Sequence, residues 1–256
     1  MLIDFCFGDF MKIFFILALI SHSALGQVHI VSDLDDTIKI TNVLDRSQAT
    51  RNGLFSLKAF EGVPKVIQEM RSYVDSFTVV SASPKQLTTR IRKLLRRHNI
   101  IPDQLFTRNF FRDGDTVEYK TKVLEEILSQ KKGHIILFGD DTEHDPDIFL
   151  DIQTRFPGRI LAVYIHAIRN IELPKGFQKY FTGMEIARGE VRAERMNLIE
   201  AYSVMNSIQI AGPELVFPDF AYCPKKLEDF GAIELTHMEY SLEQTYYPLI
   251  EYCFSK

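Results

Sequence analysis

Five short apolar runs, alternating with stretches of helical spacing, constrain the fold of this chain more than any other feature. The runs are Val28 to Ser32, Phe77 to Val80, Leu105 to Phe110, Ile135 to Phe138 and Ile160 to Ile165. Between the first two, Phe60 to Tyr73 places Val63, Val66, Ile67 and Met70 on one face, with Pro64 near a first helical turn. Pro84 to His98 carries a stripe of Leu87, Ile91, Leu94 and Leu95, and Tyr119 to Gln130 one of Val123, Leu124, Ile127 and Leu128. A short helix is predicted around Pro146 to Gln153. Strands that are apolar throughout and alternate with helices are covered on both faces. The predicted class is therefore α/β: a three-layer, Rossmann-like sandwich around a mostly parallel sheet, with a minimal cap. The 256 residues suffice for one such domain and a modest appendage.

Ligands of such sheets bind at the carboxyl ends of the strands, which singles out Asp33, Ser81 and Asp140 from the other polar residues. Asp33 opens the segment Asp33-Leu34-Asp35-Asp36-Thr37, with three carboxylates within four residues. Their repulsion needs an offset, and a hard divalent cation such as Mg²⁺, which prefers oxygen ligands, provides one. The spacing also permits one carboxylate to attack phosphorus while another, two residues on, handles a proton. A polar turn is the alternative, since Asp and Thr are common in turns and caps. Ser81 ends a strand where it can hold a phosphate oxygen, or act as a simple cap. Lys120 opens a helix from which it can neutralise phosphate charge, or lie solvated on the surface. Gly139 to Asp145 adds a second acidic cluster, with Asp145 also suited to capping the next helix.

The order Asp-x-Asp-x-Thr, strand-end Ser, Lys, then Gly-Asp-x4-Asp resembles the haloacid dehalogenase-like hydrolase superfamily. Within it, Ser32 to Lys39, Ser81 to Pro84, Phe138 to Asp140 running to Asp145-Pro146, and Phe156 to Ile160 resemble the catalytic domain of the actin-patch type phosphatidate phosphatases. The resemblance covers residues 28–170. It implies a Mg²⁺-dependent phosphatase working through a phospho-aspartate, with Asp33 as nucleophile and Asp35 as general acid and then base. It also implies that Ser81 and Lys120 bind the phosphoryl group and that Thr37 buttresses the loop beside it. Asp33, the Asp35 backbone carbonyl and Asp140 would hold the metal, with Asp145 supporting the site and Asp141 a neighbour. A phosphorylated substrate follows, in first place a phosphatidate-like lipid at a membrane surface. Small soluble phosphomonoesters, or a catalytically silent module binding phosphate or metal, are the alternatives. Lys85 departs from the family pattern, which expects an aromatic residue there. The segment 38–59, with Arg46, Arg51 and Phe55, matches loosely and is expected to form a flap over the site.

The remaining features frame that expectation. Met11-Lys12, the apolar run Ile13 to Ile20, and Ala24-Leu25-Gly26 describe a secretory signal peptide over residues 1–26, with Met11 as an alternative initiator. The run is too short for a transmembrane helix, which needs about 20 apolar residues. Export to the periplasm or exterior is expected after cleavage, and Cys223 and Cys253 would then be an even pair, bridged or both free. Residues 27–170 form the catalytic domain in this reading and 171–256 a helical appendage. In the appendage Glu185 to Ile208 reads as one long helix, and Ser241 to Phe254 as a helix interrupted by Pro248. Arg90, Arg92, Lys93, Arg96 and Arg97 make a basic helix face, suited to solvent or to anionic lipid. His144 and His166 are expected to be structural. The formal net charge of −4 gives no electrostatic reason to expect nucleic acid. No Gly-x-Ser-x-Gly elbow, P-loop, zinc spacing or EF-hand loop is present, which disfavours serine hydrolases, nucleoside triphosphatases and calcium sensors.

Overall fold

A computed structural model of the chain describes residues 26–231 and 238–256, and the leader, apart from Gly26, lies outside them. Six strands form one all-parallel sheet: β1 (Val28–Ser32), β2 (Ser76–Pro84), β3 (Gln104–Arg108), β4 (His134–Asp140), β5 (Ile160–His166) and β6 (Gln178–Tyr180). Their order is β3-β2-β1-β4-β5-β6. The chain therefore winds outward from β1 in one direction and from β4 in the other. The crevice where the direction reverses lies beyond the carboxyl ends of β1 and β4, where ligands of such sheets bind. Register confirms the alignment, since Ser32 pairs with Val79 on one side and Phe138 on the other.

Side-chain alternation divides the core into two layers. Ile30, Phe77, Val79, Ile136, Phe138 and Tyr164 face one side. They pack under helices α2 (Val63–Met70), α3 (Thr88–Arg97), α6 (Gly183–Arg192), α7 (Leu198–Ile210) and α9 (Glu239–Ser255). Val31, Val80, Ile135, Leu137, Val163 and Ile165 face the other side, under α4 (Thr116–Gln130) and α5 (Asp145–Arg155). The sandwich is thus α/β with three layers, and the C-terminal helices supply much of one of them. A single ten-residue helix, α1 (Arg46–Phe55), occupies the segment expected to hold a flap. The four-residue α8 (Pro213–Val216) lies between α7 and the tail.

Two expectations about the C-terminal part are corrected. Residues 185–208 are not one helix but parts of α6 and α7, divided at 193–197. Glu194 there adopts φ +57°. Asn197 starts the second helix with a capping box, its side chain accepting from the Glu200 N–H while Glu200 accepts from the Asn197 N–H. That reciprocal pairing satisfies donors a continuous helix would not have freed. In turn, α9 runs through Pro248 without a break. Burial of Leu242, Tyr246, Leu249, Ile250 and Cys253 along its inner face offsets a proline cost of about 3 kcal/mol. Cys223 and Cys253 are joined by a disulfide, which resolves the open pairing. No helix among the described residues is long and apolar enough to cross a membrane.

One contact fixes the C-terminal layer on the sheet. Gly62, the N-cap of α2 at φ +89°, meets Gly183, the first residue of α6. A Cβ on Gly183 would lie 2.3 Å from the Gly62 carbonyl oxygen and 2.5 Å from its carbon. Backbone cannot swing aside as a side-chain tip can, so the helices would have to part. Gly183→Ala is expected to lower unfolding stability by about 1–3 kcal/mol. An unchanged urea midpoint would show that the contact is looser than these distances.

Candidate active site

Three acidic residues follow β1, and the structure gives each a different task. Asp36 takes a left-handed conformation, φ +59°, which Asp tolerates better than most residues. Its carboxylate accepts from the backbone N–H groups of Thr41, Asn42 and Val43, at 2.9, 2.8 and 2.7 Å. It is thereby the keystone of the loop and is spent on structure. Leu34 turns into the core. Asp33 and Asp35, on either side of it, reach the crevice.

Asp33 joins a buried cluster. Lys120 Nζ lies 2.8 Å from Asp33 Oδ1 and 2.5 Å from Asp145 Oδ1. Thr37 Oγ1 stands 3.4 Å from Asp33 Oδ2 and 3.3 Å from Asp140 Oδ2, bracing β1 against β4. Asp140 accepts from the Thr142 N–H at 2.7 Å and also from its hydroxyl. Oxygens of Asp33, Asp140 and Asp145 lie within 4.8 Å of one another. Lys120 comes from the inner face of α4, beside Val123, Leu124 and Ile127, a position where a lysine is retained only if paired. Burial pulls its ammonium toward neutrality, but Asp145, Asp33 and Asp140 hold it well above the ordinary lysine range.

Three buried carboxylates against one ammonium leave a formal charge of −2, which a divalent cation would cancel. The protein's own electrostatics register that deficit. Burial pushes Asp33 well above the usual carboxylate range, Lys120 only partly offsetting it, and Asp145, Asp140 and Asp35 add to the rise. Asp140 is raised for the same reasons, burial first and Asp145 next. An all-oxygen donor set with an excess of negative charge fits a hard cation such as Mg²⁺.

Asp35 sits apart, in a different environment. It accepts from Thr41 Oγ1 at 2.7 Å, Ser83 Oγ at 2.7 Å and Ser81 Oγ at 3.2 Å, with Lys39 Nζ at 3.6 Å. Burial favours its neutral form, but Lys39 and the three hydroxyls outweigh it and hold the carboxyl below the ordinary range. The two carboxylates are thus held apart in acidity, but in the sense opposite to the roles that the resemblance implies: Asp33 resists ionisation, and Asp35, the implied general acid, favours it. The physical reason is the −2 cluster around Asp33. Asp35 lines a pocket of about 670 Å³ with Thr41, Ser83, Leu87, Arg108 and Phe110.

The family described as phosphatidate phosphatase APP1, catalytic domain, matches residues 28–167. The chain belongs to that family. It is 32% identical over 155 residues to the phosphatidate phosphatase APP1 of Saccharomyces cerevisiae, covering 56% of this chain and 26% of that protein. It is 26% identical over 152 residues to an uncharacterised protein of Schizosaccharomyces pombe, covering 55% of this chain and 25% of that one. The chain thus spans about a quarter of the length of the curated relatives it matches. Among solved structures it is similar to a class C acid phosphatase from Bacillus anthracis with tungstate bound, at TM-score 0.37 and 13% identity over 73% of this chain and 86% of that one. A phosphoserine phosphatase from T. onnurineus matches at TM-score 0.33 and 12% identity, over 60% and 88%.

The matched span contains every residue singled out from the family motif. Asp33, Thr37, Lys120, Asp140 and Asp145 converge on one cluster, whereas Ser81 turns its hydroxyl to Asp35. Asp141 works outside the cluster, accepting from the Arg169 and Ile171 N–H groups and so stapling the loop after β5. His144 is exposed. The ligands of Asp35 other than Ser81 were missed from sequence. Ser83 had a legible cue, because residues two apart on a strand share a face. Thr41 and Lys39 had none, since their placement depends on the Asp36 turn.

His166 supports that turn from behind. Its Nδ1 lies 2.8 Å from the Asp36 carbonyl oxygen, and its ring stacks on Tyr180 and meets the edge of Phe60. Burial holds the imidazole down at about 4, against an ordinary 6.5. As pH falls below the unfolded value, the unfolded chain takes up a proton the folded one refuses. Stability is lost between pH 6.5 and about 4, by up to about 3 kcal/mol. Asp36, pushed up to about 6 by burial despite its three N–H donors, works in the opposite direction over part of that window. The comparison with His166→Phe isolates the histidine. The variant is expected to lose less stability than its parent when urea unfolding is repeated on either side of the window. Parallel losses would mean that the imidazole is protonated in place.

Proposed function

We propose that this chain is a Mg²⁺-dependent phosphatase that hydrolyses a phosphomonoester through a phospho-aspartate on Asp33, with a phosphatidate-like lipid as substrate. The observation that carries the reading is the buried Asp33–Lys120–Asp145–Asp140 cluster, with an independently held Asp35 two residues on from Asp33. Family membership supports the same reaction.

In this reading a carboxylate oxygen of Asp33 attacks phosphorus while the bond to the leaving oxygen breaks. Lys120 holds that carboxylate in place and meets the charge on the phosphoryl oxygens. Asp35 delivers the proton to the leaving oxygen. Lys39 and the three hydroxyls favour its ionised form, so it takes up that proton from solvent as the phosphate dianion arrives beside it, a like charge that favours the neutral form. Water then attacks the acyl phosphate, Asp35 accepts the proton, and Asp33 is regenerated with inorganic phosphate released. Ser81 and Ser83, which hold Asp35 in the free site, are placed to turn to the phosphoryl group. Asp33, Asp140 and the Asp35 backbone carbonyl would hold Mg²⁺, with Asp145 behind them. The ion, when bound, would cancel the cluster's excess charge and stabilise negative charge on the transferring phosphoryl group.

The size of the pocket over Asp35 and its apolar side chains, Val43, Ala49, Leu87 and Phe110, support a substrate with an apolar part. Phosphate release from phosphatidate in mixed micelles and from soluble phosphomonoesters, with Mg²⁺ and with chelator, tests the assignment. Metal-dependent release confined to the micelles is expected, and preference for a soluble ester would overturn the lipid. Asp35→Asn separates catalysis from mere binding. Turnover is expected to fall by about 10²- to 10⁴-fold with phosphate still bound. Undiminished turnover would remove Asp35 from the mechanism. Export is part of the proposal, supported by the leader pattern and the Cys223–Cys253 disulfide. N-terminal sequencing of protein recovered outside the cytoplasm should begin at Gln27, and an intact residue 11 would sink it.

A further inference from the structure

The surface around the pocket mouth carries a repeated pairing that the phosphatase chemistry does not use. Phe111, 94% exposed, lies in the loop between β3 and α4. It lines a shallow groove with Lys85, Gln86 and Asn109, and Gln86 also lines the main pocket. Phe110, 51% exposed, lines that pocket with the Arg108 guanidinium 4.1 Å from its ring centre. Phe55, 70% exposed at the end of α1, has the Arg90 guanidinium 5.4 Å from its ring centre. Each exposed ring is thus accompanied by a cation. Among the described residues none of Lys85, Arg90 and Arg108 forms an ion pair with a carboxylate.

The charge continues outward. Arg90, Lys93 and Arg97 are exposed and lie three and four residues apart, on one stripe of α3. The nearby acids are mostly engaged in local structure. Asp113 accepts from the Asn109 N–H, Asp115 caps α4, and Asp45 caps α1. Asp35, held by Lys39 and three hydroxyls, and Glu143 are the acidic side chains that line the pocket itself. A positive, aromatic rim on a chain of net charge −4 is a local reversal of sign.

We infer that this rim is a docking face for an anionic lipid surface, with Phe55 and Phe111 inserting at the headgroup level and Lys85, Arg90 and Arg108 meeting lipid phosphates. Aromatic rings beside cations suit the bilayer interface, where one end of the contact is apolar and the other wet. Cations near an anionic leaflet each add favourable binding. Docking in this orientation sets the pocket mouth against the lipid, so a phosphorylated lipid would enter without first crossing water. The inference rests on the lipid reading of the site and names the face through which it is served.

Sedimentation with vesicles tests it without any turnover. Vesicles of phosphatidylcholine alone are compared with vesicles of equal parts phosphatidylcholine and phosphatidylserine, using the whole mature chain. The parent is expected to bind the anionic vesicles at least ~10-fold more tightly. Phe55→Ser with Phe111→Ser should lose ~10-fold or more of that binding, and Lys85→Glu with Arg90→Glu should erase the preference for anionic vesicles. Ile199→Ser with Ile210→Ser, at exposed apolar positions on α7 with no aromatic ring, serves as the control and should bind as the parent does. Thermal midpoints establish that each variant is folded, and the charge variants keep the test open if the serine pair is not. Equal binding to both vesicle types, parent-like binding by the folded rim variants, or an equal loss in the control would overturn the inference. An inactive protein that still docks through the rim would sink the phosphatase reading alone. An active one that ignores vesicles would sink the docking face alone.

Discussion

Asp33→Asn is expected to abolish phosphate release, by about 10⁴-fold or more, and yet to leave the metal-free protein at least as stable as its parent. The first half follows from losing the oxygen that, in the proposed mechanism, attacks phosphorus. The second follows from the cluster. Asp33 is buried with Asp140 and Asp145 around one ammonium, and its carboxyl is pushed well above the ordinary range. A raised carboxyl is one whose ionised form the fold penalises at neutral pH. The amide removes that penalty and leaves Lys120 still paired with Asp145. The metal response should move the other way. Mg²⁺ at a hundred times its Kd stabilises a protein by about 2.7 kcal/mol, and the variant, short of one ligand charge, should gain much less at the same concentration. Thermal midpoints in chelator and in Mg²⁺ check both halves. A variant clearly less stable than its parent in chelator would mean that Asp33 is not in excess charge in the free protein.

Lys120→Met is the opposite experiment on the same cluster. Methionine approximates the lysine stem and removes the ammonium, which leaves Asp33, Asp140 and Asp145 buried together with no cation between them. Stripping one partner from a buried ion pair costs about 3–5 kcal/mol. The midpoint in chelator should fall accordingly. Mg²⁺ should restore more stability to this variant than it adds to the parent, because the ion becomes the cluster's only counter-charge. Activity should remain depressed by about 10²- to 10³-fold even when the metal is saturating, since in the proposed mechanism the phosphoryl group loses a hydrogen-bond donor that an ion held by the carboxylates does not replace. A midpoint in chelator equal to the parent's would show that Lys120 is not what holds the carboxylates together.

Much of this site was legible because its residues occupy positions that sequence patterns mark. Asp33 ends a continuous apolar run, and Asp140 closes another. Lys120 interrupts a stripe that is otherwise Tyr119, Val123, Leu124 and Ile127, and a cation on a core face announces itself by being out of place. Five of the six strands were legible as apolar runs between stretches of helical spacing, though their order in the sheet was not, and β6 was missed. That strand is three residues, Gln178–Tyr180, too short and too polar for any periodicity to register. The division of α6 from α7 was visible in Asn197 and Glu200 but was overridden by helix formers on both sides. The task of Asp36 was not legible at all. Its carboxylate is committed to Thr41, Asn42 and Val43 only because its own backbone turns left-handed. A third acid in a motif therefore looked like chemistry and is architecture.

The strand order has a consequence for how the protein is made. β1 lies between β2 and β4, so the carboxylate of Asp33 meets Asp140 and Asp145 only after a strand from the start of the chain has closed on one that follows it by about a hundred residues. Closures of that span are the slow steps of folding, because their entropy must be lost before their contacts form. A nascent chain that has emerged only as far as β3 carries Asp33 and Ser81 but lacks Lys120, Asp140 and Asp145. The carboxylate cluster cannot assemble piecemeal, and tight metal binding, if Mg²⁺ is held as proposed, would signal that the last central strand has arrived.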